Sequence, residues 1–558
     1  MKNQLKSLFL FVALCVTANL CAQTPVWLSH YGNGTQYVMN EGLSLTMDGA
    51  GHLYGTGSIY GPSFDFDGHQ VSVAGGSDIV LVKLDSLGHA IWARGAGGGV
   101  SPMQESEERG SEITYDAVAD HILVTGRYDG EPATFGTHQI NGHLPFKSLF
   151  VAAYDTNGEC LWVKGSYGNA IFPGQLLTDN ASNVFVFGES GPVGGLVFQG
   201  PPDVSVPVGS FLAKYSATGT LLHVQRILNN GSVAGVLWVE GDWVITGAYQ
   251  GASMLWDQPL TPQSTSQVGF LARTDTAGNI QWLTTVHSDS VAFLNKVAST
   301  STGDLVVTGT FKANLFIGND TLTAADPDAY SKFVALFSST GQPQWGVALN
   351  GTDHVQVLAV AVSPNDEIYI LAAYERQATL GGIPLPVTTR AELLVARFDT
   401  IGTVQAALTM GVRGLHSSGS ILANNHGVFV SAPYDSTLVC ADESYPISQL
   451  GATDLFVAKF NTINGFTNIQ SMDASGEQLH IYANPNNGLC TIDLPEHLRI
   501  TSGLVLSIYD NTGQLVQRVP LTTGSAGLKL DIRAQAKGIY HVELGDGVQR
   551  YSGSIVFE

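Results

Sequence analysis

The segment DIVLVKLDSLG, residues 78–88, joins an apolar run to a polar turn, and it decides the fold because it recurs along the chain. Six further copies are LFVAAYDTNG (149–158), FLAKYSATG (211–219), FLARTDTAG (270–278), FVALFSSTG (333–341), LLVARFDTIG (393–402) and DLFVAKFNTING (454–465). The turn begins at Asp85, Asp155, Ser216, Asp275, Ser338, Asp399 and Asn461, a spacing of roughly 60 residues. Self-similarity at such a period indicates a repeat architecture.

The polar turn predicts a hairpin in every unit. The short side chain of Asp, Ser or Asn bonds to backbone two residues on, and the glycine that follows in six copies takes the positive φ that reverses the chain. The strands before the turn are apolar at alternate and at intervening positions, so both of their faces must be covered. Stacked sheets supply such cover.

A second signature precedes each copy of the first. It reads HLYGTGSIY (52–60), ILVTGRY (122–128), VFVFGES (184–190), WVITGAY (243–249), LVVTGTF (305–311), IYILAAY (368–374) and VFVSAPY (428–434). A unit of this length has room for four short strands, the signature marking the first of them. Four-stranded sheets repeated radially form a β-propeller, so we predict an all-β fold with a seven-bladed propeller of four-stranded blades over residues 24–470.

An aromatic residue marks the last strand of most units. Four residues after the turn glycine stand Trp92, Trp162, Trp282 and Trp345, with His223 and Ala406 in two other units. The seventh unit lacks this strand, but PVWLSHYGNG (25–34) has its pattern at the start of the chain. We therefore predict that the Trp27 strand pairs with the last blade and closes the ring, which removes an open sheet edge.

The repeats resemble the SBBP family of bacterial seven-bladed propeller repeats. The family pattern D-G-N-x-Y-V-T-G has its counterpart in DGAGHLYGTG (48–57), and D-x-F-V-A-K-Y-D-x-x-G has its counterpart in residues 78–88 and 454–460. The resemblance covers residues 25–470, and the third and sixth units depart most from the pattern. It implies the same seven-bladed fold.

The period is lost after residue 470, where a linker over 471–477 leads to a module over 478–558. Alternating strands such as LKLDI, with turns between them, predict a small C-terminal β-sandwich. The module also resembles the type A C-terminal sorting domain of substrates of the type IX secretion system of Bacteroidetes, from which Ala483 and Ser554 depart. The matching residues are Asn484, Pro485, Asn486, Gly488, Tyr509, Asp510, Gly513, Gly538 and Tyr540.

The resemblance implies a two-step export route. Residues 1–22 read as a signal peptide, because Lys2 and Lys6 precede the apolar run LFLFVALCV (8–16). The C-terminal module would then direct the chain across the outer membrane as a partner of the type IX machinery. We expect a secreted or cell-surface protein, exported across both membranes, with no transmembrane segment.

Composition excludes several classes of partner and site. The formal net charge of −22 argues against nucleic acid, whose affinity depends on Lys and Arg. Cys160, Cys440 and Cys490 remain after signal removal and do not form a disulfide framework. No catalytic, cofactor or metal constellation is recognisable, and for His138 with His143 and for MQESEERG (103–110) a solvated loop is favoured over a site. The turn aspartates are interpreted as turn caps rather than calcium ligands.

Three functions from different classes remain open. The first, which we favour, is a non-enzymatic binding or adhesion module whose loops contact an unknown extracellular glycan or protein. The alternative is a secreted hydrolase or lyase acting on glycans or peptides at the mouth of the propeller. The third is a structural surface-layer protein that binds no glycan or matrix. Fold alone does not choose between them.

Overall fold

The computed structural model describes residues 23–32, 42–98, 108–129, 132–141, 147–168, 170–191, 194–200, 202–260, 267–318, 320–411, 418–435, 437–440, 443–448, 453–467, 479–494, 505–509, 515–521, 527–545 and 550–557. These residues form strands and turns and no helix, so the predicted all-β class is confirmed. They also include no helix with the length and hydrophobicity that a membrane crossing requires. The predicted signal peptide lies outside the described residues. The chain divides into a repeat domain, here residues 23–464, and a C-terminal module, here residues 479–557.

The repeat domain contains 42 of the strands. In chain order they are β1 Trp27–Tyr31, β2 Ser44–Met47, β3 Leu53–Tyr60, β4 Ser63–Phe66, β5 His69–Ser72, β6 Ser77–Leu84, β7 Ala90–Gly98, β8 Arg109–Asp116, β9 His121–Tyr128, β10 Ala133–Phe135, β11 His138–Ile140, β12 Ser148–Tyr154, β13 Cys160–Gly168, β14 Ala170–Thr178, β15 Val184–Ser190, β16 Leu196–Phe198, β17 Val204–Val206, β18 Gly209–Tyr215, β19 Leu221–Leu228, β20 Gly231–Val239 and β21 Asp242–Tyr249. They continue with β22 Ser253–Leu255, β23 Gln258–Leu260, β24 Val268–Thr274, β25 Ile280–Ser288, β26 Ala292–Ser299, β27 Leu305–Phe311, β28 Asn314–Ile317, β29 Asp320–Thr323, β30 Ser331–Phe337, β31 Pro343–Gly351, β32 Val355–Val362, β33 Ile368–Glu375, β34 Ala378–Leu380, β35 Ile383–Pro384, β36 Ala391–Phe398, β37 Val404–Gly411, β38 Ser420–Asn424, β39 Gly427–Tyr434, β40 Leu438–Cys440, β41 Glu443–Tyr445 and β42 Asp454–Phe460.

Strands β4 and β5 form a two-stranded sheet, and the other strands form a series of antiparallel sheets, which we number 1 to 7 along the chain. Sheet 1 has the order β2-β3-β6-β7-β10-β11, sheet 2 β8-β9-β12-β13-β16-β17, sheet 3 β14-β15-β18-β19-β22-β23, sheet 4 β20-β21-β24-β25-β28-β29, sheet 5 β26-β27-β30-β31-β34-β35, sheet 6 β32-β33-β36-β37-β40-β41 and sheet 7 β38-β39-β42-β1. In sheet 7 the N-terminal strand β1 pairs with β42, Trp27 opposite Lys459.

The expectation of four strands per sheet was incomplete, because sheets 1 to 6 carry six. The two extra strands form a hairpin that leaves its own unit. The hairpin β10–β11, for example, lies in sequence between β9 and β12 of sheet 2, yet β10 pairs with β7 of sheet 1. The second signature marks the second strand of each sheet, not the first, since β2 precedes β3. Neighbouring sheets are thereby joined through backbone hydrogen bonds as well as through packing.

The hydrophobic core lies between successive sheets. One cluster joins Tyr54 and Trp92 of sheet 1 to Ile122 and Phe150 of sheet 2, and all four side chains are buried. This explains why the third strands are apolar on both faces, because each sheet packs against a neighbour on either side. Another cluster joins Leu53 of sheet 1 to Leu455 of sheet 7.

The short strand β43 Gly465–Thr467 precedes the C-terminal module in sequence. The module contains β44 His480–Tyr482, β45 Leu489–Asp493, β46 Val505–Tyr509, β47 Leu515–Pro520, β48 Gly527–Asp531, β49 Gly538–Gly545 and β50 Arg550–Phe557. One sheet has the order β44-β45-β48 and the other β47-β46-β49-β50. Side chains of both sheets, including Ile492, Leu530, Val542 and Ile555, form one buried cluster. The module is thus two sheets that share a core.

Candidate functional site

The turn aspartates bind the backbone of their own turns. Asp85 Oδ1 accepts hydrogen bonds from the backbone N–H groups of Leu87 at 2.8 Å and His89 at 2.9 Å. Although burial alone would raise it, these bonds hold the pKa of Asp85 below its ordinary value. The same two backbone bonds recur at Asp155, Asp275 and Asp399. The interpretation of these residues as turn caps is confirmed.

Ser216 shows why serine can replace aspartate in this turn. Its hydroxyl oxygen accepts hydrogen bonds from Thr218 N at 3.3 Å and Thr220 N at 3.1 Å, the positions that Asp85 serves in its own turn. A single neutral oxygen therefore satisfies the same donors. The turn therefore forms without a negative charge, although a carboxylate at this position accepts the same hydrogen bonds more strongly.

Trp27, predicted to close the ring, lies on β1 and contacts the turn of sheet 1. A side chain at Gly88 would begin 2.5 Å from the Trp27 ring, so the glycine permits this close approach. Gly158 lies in the same way against Trp92, and Gly219 against Trp162. In sheet 3 the aromatic position is held by His223, and Trp256 instead packs against the next turn glycine, Gly278.

The sorting-motif residues lie beside the last strand of the C-terminal module. Asn484 Oδ1 accepts a hydrogen bond from Val556 N at 2.7 Å, and Asn486 N donates to Val556 O at 2.8 Å. Asn486 Oδ1 accepts a hydrogen bond from Gly488 N at 2.7 Å. The loop that contains Pro485 is thus fixed to β50.

The remaining motif residues are spread over other parts of the module. Tyr540 is 4% exposed, and its hydroxyl donates to the Ala536 carbonyl oxygen. Tyr509 ends β46 and Gly538 begins β49. Asp510 and Gly513 lie outside the described residues. The described motif residues therefore occupy a turn, two strands and a buried core position rather than one surface.

Three carboxylates at equivalent positions, those of Asp78, Glu392 and Asp454, are buried at the start of third strands. Asp78 is 4% exposed, its Oδ2 accepts a hydrogen bond from Ala74 N at 2.8 Å, and its Oδ1 has no hydrogen-bond partner among the described residues. Burial raises the pKa of Asp78 to about 6. Asp454 is 1% exposed, and burial raises its pKa despite hydrogen bonds from Ser448. In the sequence, only their shared position in the repeat distinguishes these carboxylates.

Side chains from the first strands of sheets 1, 2 and 5 meet. Lys296 Nζ lies 3.6 Å from Glu112 Oε1, and Ser44 Oγ donates to Glu112 Oε2 at 3.3 Å. The register of β8 shifts between Gly110 and Glu112, and that of β26 shifts between Leu294 and Val297. Irregularities of this kind re-aim side chains. Sequence reasoning missed this group because the shifts have no local signature.

Other predicted groups do not come together. Among the described residues no group of three or more His, Cys, Asp or Glu side chains is placed to hold a metal ion. His138 begins β11, while His143 and residues 103–107 of the acidic insert lie outside the described residues. Cys160, Cys440 and Cys490, all within the described residues, are not joined in a disulfide.

A family model described as a secretion system C-terminal sorting domain matches residues 480–558. That match covers the seven strands of the C-terminal module. It supports the predicted sorting role, and a sorting domain of this kind indicates secretion or export to the cell surface.

Among curated proteins, the chain is similar to an uncharacterized WD repeat-containing protein of Acanthamoeba polyphaga mimivirus. The two are 22% identical over 329 residues, which is 46% of this chain and 23% of that protein. This chain therefore spans about a quarter of the length of that relative.

Solved structures with similarity include a quinohemoprotein alcohol dehydrogenase from Comamonas testosteroni, with a TM-score of 0.36 and 10% identity over 84% of this chain and 80% of that one. A protein of unknown function from Dyadobacter fermentans has a TM-score of 0.34 and 11% identity over 78% and 98%. A member of the DUF4221 family from Bacteroides vulgatus has a TM-score of 0.32 and 11% identity over 63% and 92%. Similarities this distant assign no activity to the chain.

Proposed function

We propose that this protein is an exported binding protein, a seven-bladed β-propeller of SBBP-like repeats that the type IX secretion system delivers to the cell surface or medium. The match of residues 480–558 to a sorting domain is the observation that carries the export part. We infer that the protein binds an extracellular glycan or protein, because its turns and loops present many side chains on a rigid set of sheets.

Contacts between sheets 1 and 7 support a ring closed by the two ends of the chain. The strand β2 contacts β38, and each earlier first strand contacts the next one along the chain. Leu43 N donates to Ser431 Oγ at 3.2 Å, and Leu45 N donates to Ser420 Oγ at 3.3 Å. With β1 as its outer strand, sheet 7 completes a circular series of blades, which leaves no open edge between first and last.

In this proposal the sorting-motif residues stabilise the fold of the sorting domain and perform no chemistry. Asn484 and Asn486 tie the motif loop to Val556, and Tyr540 belongs to the buried core of the module. The secretion machinery would recognise the folded surface that these contacts maintain. In this proposal residues 471–477 link the module to the propeller, and the module is cut off after export within the polar stretch 467–477.

Cell fractionation tests the export route. The full chain and a chain that lacks residues 476–558 are expressed in a host with a working type IX system. We expect the full chain on the surface or in the medium, and the truncated chain retained in the periplasm. Protease resistance of the retained protein shows whether the repeat domain is still folded. A truncated chain that reaches the surface in a folded form overturns the proposal.

A fusion supplies the converse test. Residues 471–558 are attached to an unrelated periplasmic protein that has its own signal peptide. Surface delivery of that fusion is expected, and its retention in the periplasm contradicts the sorting role even where the truncation gives the expected result.

A further inference from the structure

A cleft of about 600 Å³ lies between the ends of sheets 3 and 4. It is lined by Asp179, Asn180, Ala181, Trp238, Glu240 and Gly241. Its volume falls within the range of about 300–1,000 Å³ that is usual for small-molecule sites. The lining combines one aromatic ring with carboxylate and amide side chains.

The cleft arises from two turns of unequal length. The turn from β20 to β21 consists of Glu240 and Gly241 alone, with φ values of 53° and 93°. Two successive positive values are typical of the tightest hairpin turns. The turn from β14 to β15 runs from Asp179 to Asn183 and is closed by backbone hydrogen bonds from Asp179 N to Asn183 O and from Ser182 N to Asp179 O. The longer turn of sheet 3 therefore lies beside the shorter turn of sheet 4, and the side of the Trp238 ring that faces the cleft is not covered.

Trp238 is half-buried, and its neighbours fix its orientation. Its ring centroid lies 4.2 Å from that of Trp243 at an interplanar angle of 62°, and 6.0 Å from that of Phe185 at 19°. Trp243 and Phe185 are themselves buried. An indole held by such packing loses little conformational freedom when a ligand stacks on it.

The repeat itself shows that this aromatic is unusual. Trp238 pairs with Trp243, which begins the second signature of its unit. The residues that pair with the same place in other units are Met47, Tyr115, Thr178, Ser299, Val362 and Ala423. Since most units manage with a smaller side chain, the hairpin does not require an indole there.

The polar groups around the ring are oriented and their charges are balanced. Asp179 Oδ2 accepts a hydrogen bond from Asn183 Nδ2 at 2.8 Å and lies 3.9 Å from Lys214 Nζ. Glu240 lies 3.4 Å from Arg273 Nη2, although its side chain is 81% exposed. Because each carboxylate has a cation beside it, the cleft has no strong preference for a charged ligand. Its remaining lone pairs can accept hydrogen bonds from hydroxyl groups.

We propose that this cleft binds an uncharged oligosaccharide, with one sugar ring stacked by its C–H face on Trp238 and its hydroxyls bonded to Asp179, Asn180 and Glu240. The inference rests on the proposed binding function and names its ligand class. Both turns connect the first two strands of their sheets, so the site lies at the end of the sheets where such short turns cluster.

Binding is measured by isothermal titration calorimetry on the full mature chain. The probes are cellotetraose, maltotetraose, laminaritetraose and xylotetraose, with tetragalacturonate as a charged comparison. We expect saturable binding of at least one neutral tetrasaccharide, with quenching or enhancement of tryptophan fluorescence. Trp238→Ala is expected to weaken that binding by about tenfold or more, the usual effect of losing a central aromatic contact.

Two further variants separate a lost ligand contact from a damaged fold. Asn180→Ala removes an exposed side chain from the cleft and is expected to weaken binding with an unchanged melting temperature. Tyr330→Ala removes a 50% exposed aromatic beside sheet 5 and is the matched control, expected to bind as the parent does. Binding that survives in both Trp238→Ala and Asn180→Ala overturns the inference.

The inference and the proposed function can fail separately. If the parent chain binds no neutral tetrasaccharide, or binds only tetragalacturonate, the saccharide site is wrong, while export through residues 480–558 is unaffected. If the truncated chain is still exported, the proposed route is wrong, while the titration result stands.

Discussion

The indole Nε1 of Trp27 donates a hydrogen bond to the carbonyl oxygen of Ser86 at 2.9 Å. This bond joins β1 of sheet 7 to the turn between β6 and β7 of sheet 1. The same bond recurs between other pairs of successive sheets, from Trp92 to Thr156 at 3.3 Å, from Trp162 to Ala217 at 3.0 Å and from Trp345 to Thr400 at 3.0 Å. A strand from the start of the chain thus makes the contact that fourth strands make elsewhere.

Trp27→Ala should destabilise the repeat domain. The change removes the hydrogen bond to Ser86 and the packing against Gly88 and Phe429. We expect a loss of about 2–3 kcal/mol in unfolding free energy, below the value for a fully buried tryptophan because Trp27 is only partly buried. Urea unfolding measures it. The control is Val26→Ala, whose side chain is 51% exposed. Equal unfolding midpoints for the two variants would count against ring closure by β1.

Gly88→Ala should cost more than Gly68→Ala, although the two backbones are strained alike. Both glycines have positive φ, 86° and 89°, so each substitution carries a left-handed penalty of about 1–2 kcal/mol. At Gly68 an added Cβ meets nothing within 4 Å, whereas at Gly88 it would lie 2.5 Å from the Trp27 ring. Melting temperatures of the pair isolate the cost of displacing Trp27. If the two variants have equal melting temperatures, the close approach of Gly88 and Trp27 contributes nothing to stability.

Much of the repeat domain was readable from sequence because its signals are local. A turn of five residues places its Asp or Ser and its glycine at fixed positions, and that chemistry fixed the hairpins at Asp85 and at Ser216. The hairpins that pair with the preceding sheet were not predicted. Ala133–Phe135 offers three residues of alternation, and its partner β7 lies in another unit, so no short-range pattern reports the pairing.

The candidate sites were hidden for the same reason. The cleft at Trp238 depends on the difference in length between two turns that lie about 60 residues apart, and Lys296 reaches Glu112 only because two strands change register. In sheet 3, Trp256 packs against the next turn glycine in place of a fourth-strand aromatic. The sequence does not show this, because the repeat alignment puts His223 at that position. Such features depend on how different units are placed against one another, and a repeat pattern does not report that placement.

Asp78→Asn should stabilise the protein at neutral pH and leave it unchanged in acid. Burial raises the pKa of Asp78 from 3.8 to about 6, so the folded state favours the protonated carboxyl. Its contribution to stability is full below about pH 3.8 and is lost as the pH rises through about 6, at most about 3 kcal/mol. Urea midpoints between pH 4 and 8 should separate the variant from the parent only at the upper end.

Asp85→Asn is the matched control with the opposite sign. The pKa of Asp85 is lowered, so its stabilising contribution is present above its unfolded value and is lost as the pH falls through the folded one. The variant turn should therefore be less stable than the parent turn at pH 8, with the difference shrinking in acid. Parallel pH profiles for both variants and the parent would contradict the assigned shifts.

Asn484→Ala should lower export without weakening the repeat domain. The change removes the acceptor that holds Val556 N, and with it the link between the motif loop and β50. We expect a loss of about 1–2 kcal/mol in the C-terminal module alone, together with less protein at the cell surface. Surface labelling and a melting curve of the purified chain measure the two effects. Lys529→Ala, exposed on β48, is the control; equal surface labelling of both variants would contradict the prediction.

The Glu112–Lys296 pair should show a small, salt-dependent coupling. Both side chains are about one-third exposed, so solvent screens their attraction, and we expect about 0.5–1 kcal/mol from a double-mutant cycle of Glu112→Gln and Lys296→Met. The coupling should shrink between about 0.05 and 1 M salt because added ions screen the two charges, roughly in step with the Debye length. Because Ser44 also donates to Glu112, Ser44→Ala should reduce the coupling by releasing the carboxylate. A coupling of zero at low salt would mean that the first strands of sheets 2 and 5 hold their places without this ion pair.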